Sequence, residues 1–309
     1  MRIRRFHGLK YYYTKSFDSI INSNRKISYT EFIGLPEEIF YVEEGNIEEL
    51  EIRTEVLLLN PSQKRVRDIS IDFYIPSEDL HQKIRITKKS HGDLKIRKDS
   101  YGNLIASLKL DVIPPKKKEK VFVSQVANLN AVKINDIEWG FPEKTHDLQI
   151  NYRGRLQNPR HEDIIAIANK IKSKDLYTTV TNCIKFIKAN VKYERNAYRL
   201  GGRFALKHQK GACDEISDLC ASILMALNIP IRTVLGYVIP ENFHAWLEIF
   251  SSKKGWIPVD PTFGFMGFIG ARWLKIFVEP KPNTKLLKIK CKGTIVPKLT
   301  FYLEDMKIN

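Results

Sequence analysis

Residues 210–264 read KGACDEISDLCASILMALNIPIRTVLGYVIPENFHAWLEIFSSKKGWIPVDPTFG, and the fold turns on where the apolar period changes within them. After Cys213, apolar residues fall at Ile216, Leu219, Cys220, Ile223, Leu224 and Leu227. Steps of three and four mark one buried face of a helix. Asp214, Glu215 and Asp218 fill its first turns, where carboxylates suit the positive end of the helix dipole, and Asn228 and Pro230 stop it. Cys213 therefore opens the helix, where a thiol is favoured as the nucleophilic thiolate. Further on the period becomes two. Phe243–Phe250 alternates, with His244, Trp246, Glu248 and Phe250 on one face, and Trp256–Asp260 follows a Ser-Ser-Lys-Lys-Gly turn. A hairpin centred on Lys253 sets Trp246 opposite Asp260 and makes His244 the diagonal neighbour of Asp260 on the same face. A slip of one residue would separate them.

This order carries chemistry. A cysteine nucleophile needs a base that takes its proton and later returns it to the leaving group, and the base needs an orienting acceptor. His244 and Asp260 fit these two roles. Zinc on Cys213, Cys220 and His244 is the competing reading, but ligands seven residues apart on a helix stand about 10 Å apart, too far to share one ion. Cys183 and Cys220 fall on apolar helical stripes and read as core, and Cys291 ends an alternating strand with no base nearby. Neither a metal nor a cofactor is expected.

Five blocks then occur in one order: Gly211-Ala212-Cys213-Asp214-Glu215, Leu227-Asn228-Ile229-Pro230-Ile231-Arg232, Gly236-Tyr237, His244-Ala245-Trp246-Leu247-Glu248 and Gly255-Trp256-Ile257-Pro258-Val259-Asp260-Pro261-Thr262. Together they resemble the core of the transglutaminase-like superfamily, papain-related enzymes with a Cys-His-Asp triad. The resemblance implies Cys213 as nucleophile, His244 as general base and acid, Asp260 as the residue that orients the imidazole, and a thioester acyl-enzyme. It makes the N–H of Cys213 the first oxyanion donor. Gln209, just upstream, is a candidate second donor or a plain surface glutamine. Trp246 is a candidate wall of the acyl site or a tryptophan packed in the sheet.

Outward from this stretch, Ile164, Ile167, Ala168 and Ile171, then Leu176, Val180, Cys183, Ile184 and Ile187, predict two more helices. Upstream the pattern is of strands broken by turns, at Glu51–Val56, Ile69–Phe73, Ile84–Thr87, Leu104–Val112 and Lys120–Val126. Short strands at this spacing suggest a β-sandwich. The acidic run Glu43, Glu44, Glu48, Glu49 lacks an EF-hand pattern and reads as a solvated face. The expected fold class is α+β, with an N-terminal β-sandwich over 1–150 and, by the resemblance, a papain-like or transglutaminase-like core over 151–309 with helices packed on an antiparallel sheet.

The chain of 309 residues is long enough for two domains, and 43% hydrophobic with 28% charged residues excludes a disordered chain. No apolar run reaches the 18 or so residues of a spanning helix, and the basic N-terminus lacks the apolar segment of a secretory signal, so a cytoplasmic protein with reduced thiols is expected. The net charge of +16 is uneven: residues 1–150 carry 25 Lys and Arg against 22 Asp and Glu, and 151–309 carry 26 against 13. That field favours acidic partners, but the basic residues are scattered and form no nucleic-acid signature. The reading is a cysteine-dependent hydrolase of peptide or side-chain amides, with a peptide or protein substrate of acidic character. The alternatives are acyl transfer to amines and a non-catalytic interaction scaffold.

Overall fold

A computed structural model describes residues 46–134, 139–141, 154–196, 198–239 and 242–308. Eight strands form two four-stranded antiparallel sheets. In the first, β17 (Val296–Ile308), β1 (Asn46–Leu59), β6 (Lys118–Asn130) and β3 (Gln82–Lys89) lie in that order. In the second the order is β16 (Leu287–Lys292), β2 (Val66–Ile75), β5 (Leu104–Ile113) and β4 (Lys95–Lys98). Alternation puts Val56, Leu58, Ile69, Ile71, Phe73 and Val121 into one apolar cluster drawn from both sheets. The strands expected from Glu51 to Val126 all lie inside these elements. Glu48 and Glu49 are on β1, and Glu43 and Glu44 lie outside the described residues.

The chain does not divide cleanly at residue 150. β16 and β17 follow the core in sequence yet pair with β2 and β1, so this two-sheet unit is closed by strands from both sides of that position. β1 also serves two clusters. Its far end feeds the inter-sheet cluster, while Ile47, Leu50 and Ile52 pack with Leu235, Tyr237, Leu274 and Phe277 of the core.

The core has four helices among the described residues: α1 (Glu162–Ile171), α2 (Leu176–Asn190), α3 (Gly202–His208) and α4 (Cys213–Ala226). They pack on a five-stranded antiparallel sheet in the order β13 (Phe265–Met266), β12 (Gly255–Asp260), β11 (Asn242–Ser251), β10 (Ile231–Val238) and β15 (Trp273–Val278). Short ribbons complete it, β7 (Val132–Lys133) with β14 (Phe268–Ile269) and the parallel pair β8 (Lys192–Tyr193) with β9 (Lys210–Gly211). The predicted stripes of α1, α2 and α4 meet in one cluster with Leu247, Ile249, Ile257 and Val259 of the sheet. Leu247 pairs with Val259 and Ile249 with Ile257, the register of a hairpin centred on Lys253.

α4 departs from the expectation of a one-faced helix. Eleven of its fourteen residues are buried, among them Glu215, Ser217, Asp218 and Ser222. Each of these polar side chains has a partner, as burial demands: Ser217 Oγ donates to the Ala245 carbonyl and Ser222 Oγ to that of Asp218.

Candidate active site

Cys213 is the first residue of α4, directly after the β9 ribbon that ties its approach to β8. Glu215 fixes that start. Its Oε2 accepts from the Ala212 N–H at 2.8 Å and from Asn196 at 2.9 Å, and its Oε1 accepts from the Leu200 N–H at 2.6 Å. The reach of an N3 glutamate back to the N-cap N–H is half of a capping box. Asp214, beside the thiol, has its carboxyl pushed up to about 6 by burial and by the charge of Glu215.

His244 comes from β11, where it faces Gly236 of β10. A Cβ at Gly236 would lie 2.0 Å from the Leu274 carbonyl and 2.7 Å from the Trp246 ring, so β10 can pack against β15 and Trp246 in this way only with glycine there. His244 Nε2 is 2.7 Å from Asp260 Oδ2. The Asp260 carboxylate is saturated with donors: Oδ1 accepts from the Thr262 and Phe263 N–H groups at 3.0 and 3.1 Å, and Oδ2 also accepts from Trp273 Nε1 at 3.2 Å. Nε2 is committed to Asp260, and Cys213 lies near enough to the imidazole to strengthen its hold on a proton. Cys213, His244 and Asp260 are thus brought together, the last two at 6% and 3% exposure.

Burial, the strongest single influence on His244, pushes its imidazole down, but Asp260 and Cys213 outweigh it and the ring is pushed up to about 10. An unfolded histidine titrates near 6.5. Folding therefore tightens its hold on a proton, and the resulting stabilisation is full below about pH 6.5 and lost as pH rises through about 10. The unfolding free-energy difference between wild type and Asp260→Asn should be constant from about pH 5 to 6.5 and shrink from there to about pH 10. Urea melts across that range test it, and a difference independent of pH would refute it.

The two other candidates are placed differently. Gln209 is exposed in the left-handed C-cap position of α3, with φ 54°. Trp246 is buried to 1% and stacks on His244, with ring centroids 6.0 Å apart and planes 19° apart. A cavity of about 320 Å³ opens at Cys213 between apolar Leu235, Phe243 and Leu286 and polar Asp214, Asn283 and Thr284. Neither Gln209 nor Trp246 is among the residues that line it. Among the described residues no group of three or more His, Cys, Asp or Glu could hold a metal ion, and no helix is long and apolar enough to cross a membrane.

Sequence reasoning missed a buried ion cluster beneath the site. Arg199 Nε and Nη2 donate to Asp218 at 2.8 and 2.6 Å, its Nη1 donates to both oxygens of Glu279 at 3.0 and 2.9 Å, and Gln157 Nε2 donates to Asp218 at 2.9 Å. Burial opposes the Arg199 cation, but the two carboxylates outweigh it and hold the proton more firmly than usual. Arg199 lies between helices in a segment without periodicity, so no spacing signals it. Trp273 was missed for a similar reason: its bond to Asp260 is tertiary and no spacing signals it.

Helices on an antiparallel sheet, with a helix-start cysteine meeting a strand histidine and aspartate, define the papain-like class of cysteine proteins. Residues 165–261, which contain all three, match the family model described as the transglutaminase-like superfamily. The Bacillus subtilis protein YebA is 26% identical over 165 residues, 46% of this chain and 22% of that protein. A protein-glutamine gamma-glutamyltransferase of Pseudomonas aeruginosa is 32% identical over 73 residues, 19% of this chain and 11% of that one. The chain thus spans about a fifth or less of the length of these curated relatives. A solved structure of a candidate cysteine protease from Cytophaga hutchinsonii has a TM-score of 0.57 at 16% identity, covering 84% of this chain and 90% of that one. That coverage extends beyond the core.

Proposed function

We propose that the protein is a cysteine-dependent hydrolase of peptide or side-chain amides, with Cys213 as nucleophile, His244 as base and acid, and Asp260 as the residue that orients the imidazole. Cys213 Sγ, its proton already held on His244, attacks the amide carbonyl carbon as a thiolate; the C–S bond forms as the π electrons move to oxygen. The oxyanion faces the Cys213 N–H, which as the first of the helix has no intrahelical acceptor. Collapse breaks the C–N bond, the amine leaves with the proton of His244, and a thioester remains. Water, losing a proton to His244, attacks the thioester and releases the acid and the thiol. The observation that carries this reading is the buried 2.7 Å pair of His244 and Asp260 meeting a cysteine at a helix start.

The substrate in this reading is a peptide or protein. The positive charge of 151–309 favours an acidic one at long range, whereas Asp214 beside the thiol opposes an acidic residue at the reacting bond itself. A reducing, cytoplasmic location goes with this reading, since the four cysteines show no paired spacing in the sequence. A second reading, transfer of the acyl group to an amine, is favoured by the glutamyltransferase relative.

Iodoacetamide alkylation of each cysteine against pH, read by peptide mass spectrometry, tests the site. Cys213 should react well below pH 8, ahead of Cys291, and lose that lead in His244→Ala. Equal rates at Cys213 and Cys291 would refute an activated thiol. With a substrate in hand, an amine probe incorporated faster than free acid is released would replace hydrolysis by transfer.

A further inference from the structure

β15 is the outermost strand of the core sheet, so one row of its N–H and C=O groups should lack strand partners. Side chains of the two-sheet unit occupy that row. Gln82 accepts from the Lys275 N–H through Oε1 and donates to the Lys275 carbonyl through Nε2, both at 2.9 Å. Asn103 does the same to Val278, accepting at 2.7 Å and donating at 2.9 Å. His81 Nε2 donates to the Trp273 carbonyl at 2.8 Å. A carboxamide carries the donor and acceptor of a peptide group, and a strand residue in a hydrogen-bonded antiparallel pair exchanges both. Gln82 and Asn103 therefore imitate two residues of a neighbouring strand. All three side chains are at most 2% exposed.

The strand so held carries Trp273. Its indole is packed edge-on against Phe263 and Phe265, at 5.3 and 5.8 Å, and donates to Asp260 Oδ2, the oxygen that also takes His244. The path from the two-sheet unit to the imidazole thus runs through one strand and one carboxylate.

We propose that Gln82, Asn103 and His81 are positioning residues: they stand in for a sixth strand and hold β15 so that Trp273 keeps the Asp260 carboxylate aimed at His244. This rests on the reading of Cys213, His244 and Asp260 as the reactive group, and it gives the two-sheet unit a role in that group.

The test is the NMR titration of the His244 ring together with the Trp273 indole N–H signal, assigned with Trp273→Phe. The variant is Gln82→Met with Asn103→Leu, which keeps volume and deletes the four carboxamide bonds to Lys275 and Val278 while leaving that of His81; if it does not fold, Gln82→Met alone is used. The expected result is a shifted, faster-exchanging indole signal and a His244 midpoint lowered by about one unit. In a Trp273→Phe background the same change should move the midpoint no further. If the variant loses thermal stability while the indole signal and the His244 midpoint stay put, the clamps only cover an edge and the proposal falls. An ordinary His244 midpoint in the wild type overturns it too. These signals need no turnover, so an absence of hydrolysis beside an intact His244 titration would count against the proposed function alone.

Discussion

His244→Ala is expected to lower kcat/KM for amide hydrolysis by about 10²- to 10⁴-fold, the usual worth of a positioned proton carrier, or roughly 3–5 kcal/mol of barrier. The loss should fall on kcat, because the imidazole sits behind Cys213 at 6% exposure and does not line the cavity. Asp260→Asn should lose less, since the imidazole itself remains; its single amide oxygen keeps either the Thr262 and Phe263 N–H groups or the Trp273 and His244 donors, and the charge that holds the proton on His244 is gone. Steady-state kinetics of the two variants check this, and unchanged kcat in His244→Ala would remove the histidine from the mechanism.

Arg199→Met is expected to cost about 3–5 kcal/mol of stability, the typical cost of stripping one partner from a buried ion cluster. Asp218 is fully buried and Glu279 is 2% exposed, and the guanidinium is the cation both carboxylates share. Burial already raises both carboxyls above their ordinary range, with Arg199 opposing it. Without Arg199 they rise further, so the variant gains most from protonation. The deficit should therefore be larger at pH 8 than at pH 5. Urea unfolding at the two pH values decides it; an equal deficit would mean the arginine acts through packing alone.

How much of this was legible depends on the range of the interaction. The α4 stripe and the 243–260 hairpin were readable because their periods are local and the turn at Lys253 sets the register. Glu215 and Asp218 were read as acids suited to a helix start, which left out their burial, because their partners Asn196, Leu200 and Arg199 come from a loop with no pattern. β17 was missed for another reason. Its sequence VPKLTFYLEDMKI mixes polar and apolar residues, and its partner β1 lies at the other end of the described chain. The clamps on β15 were invisible for the same reason, since a glutamine at a strand start and an asparagine after a turn carry no sign of which backbone they will meet.

The pairing of β1 with β17 also has a consequence in time. A ribosome releases the partner of β1 only after the whole core has emerged, and contacts so distant in sequence form slowly. The helices and hairpin of the core can gather first, with β1, β2, β5 and β6 waiting as an incomplete pair of sheets with bare flanks. On this order of assembly the last of the described strands to be made is the one that pairs with the first of them.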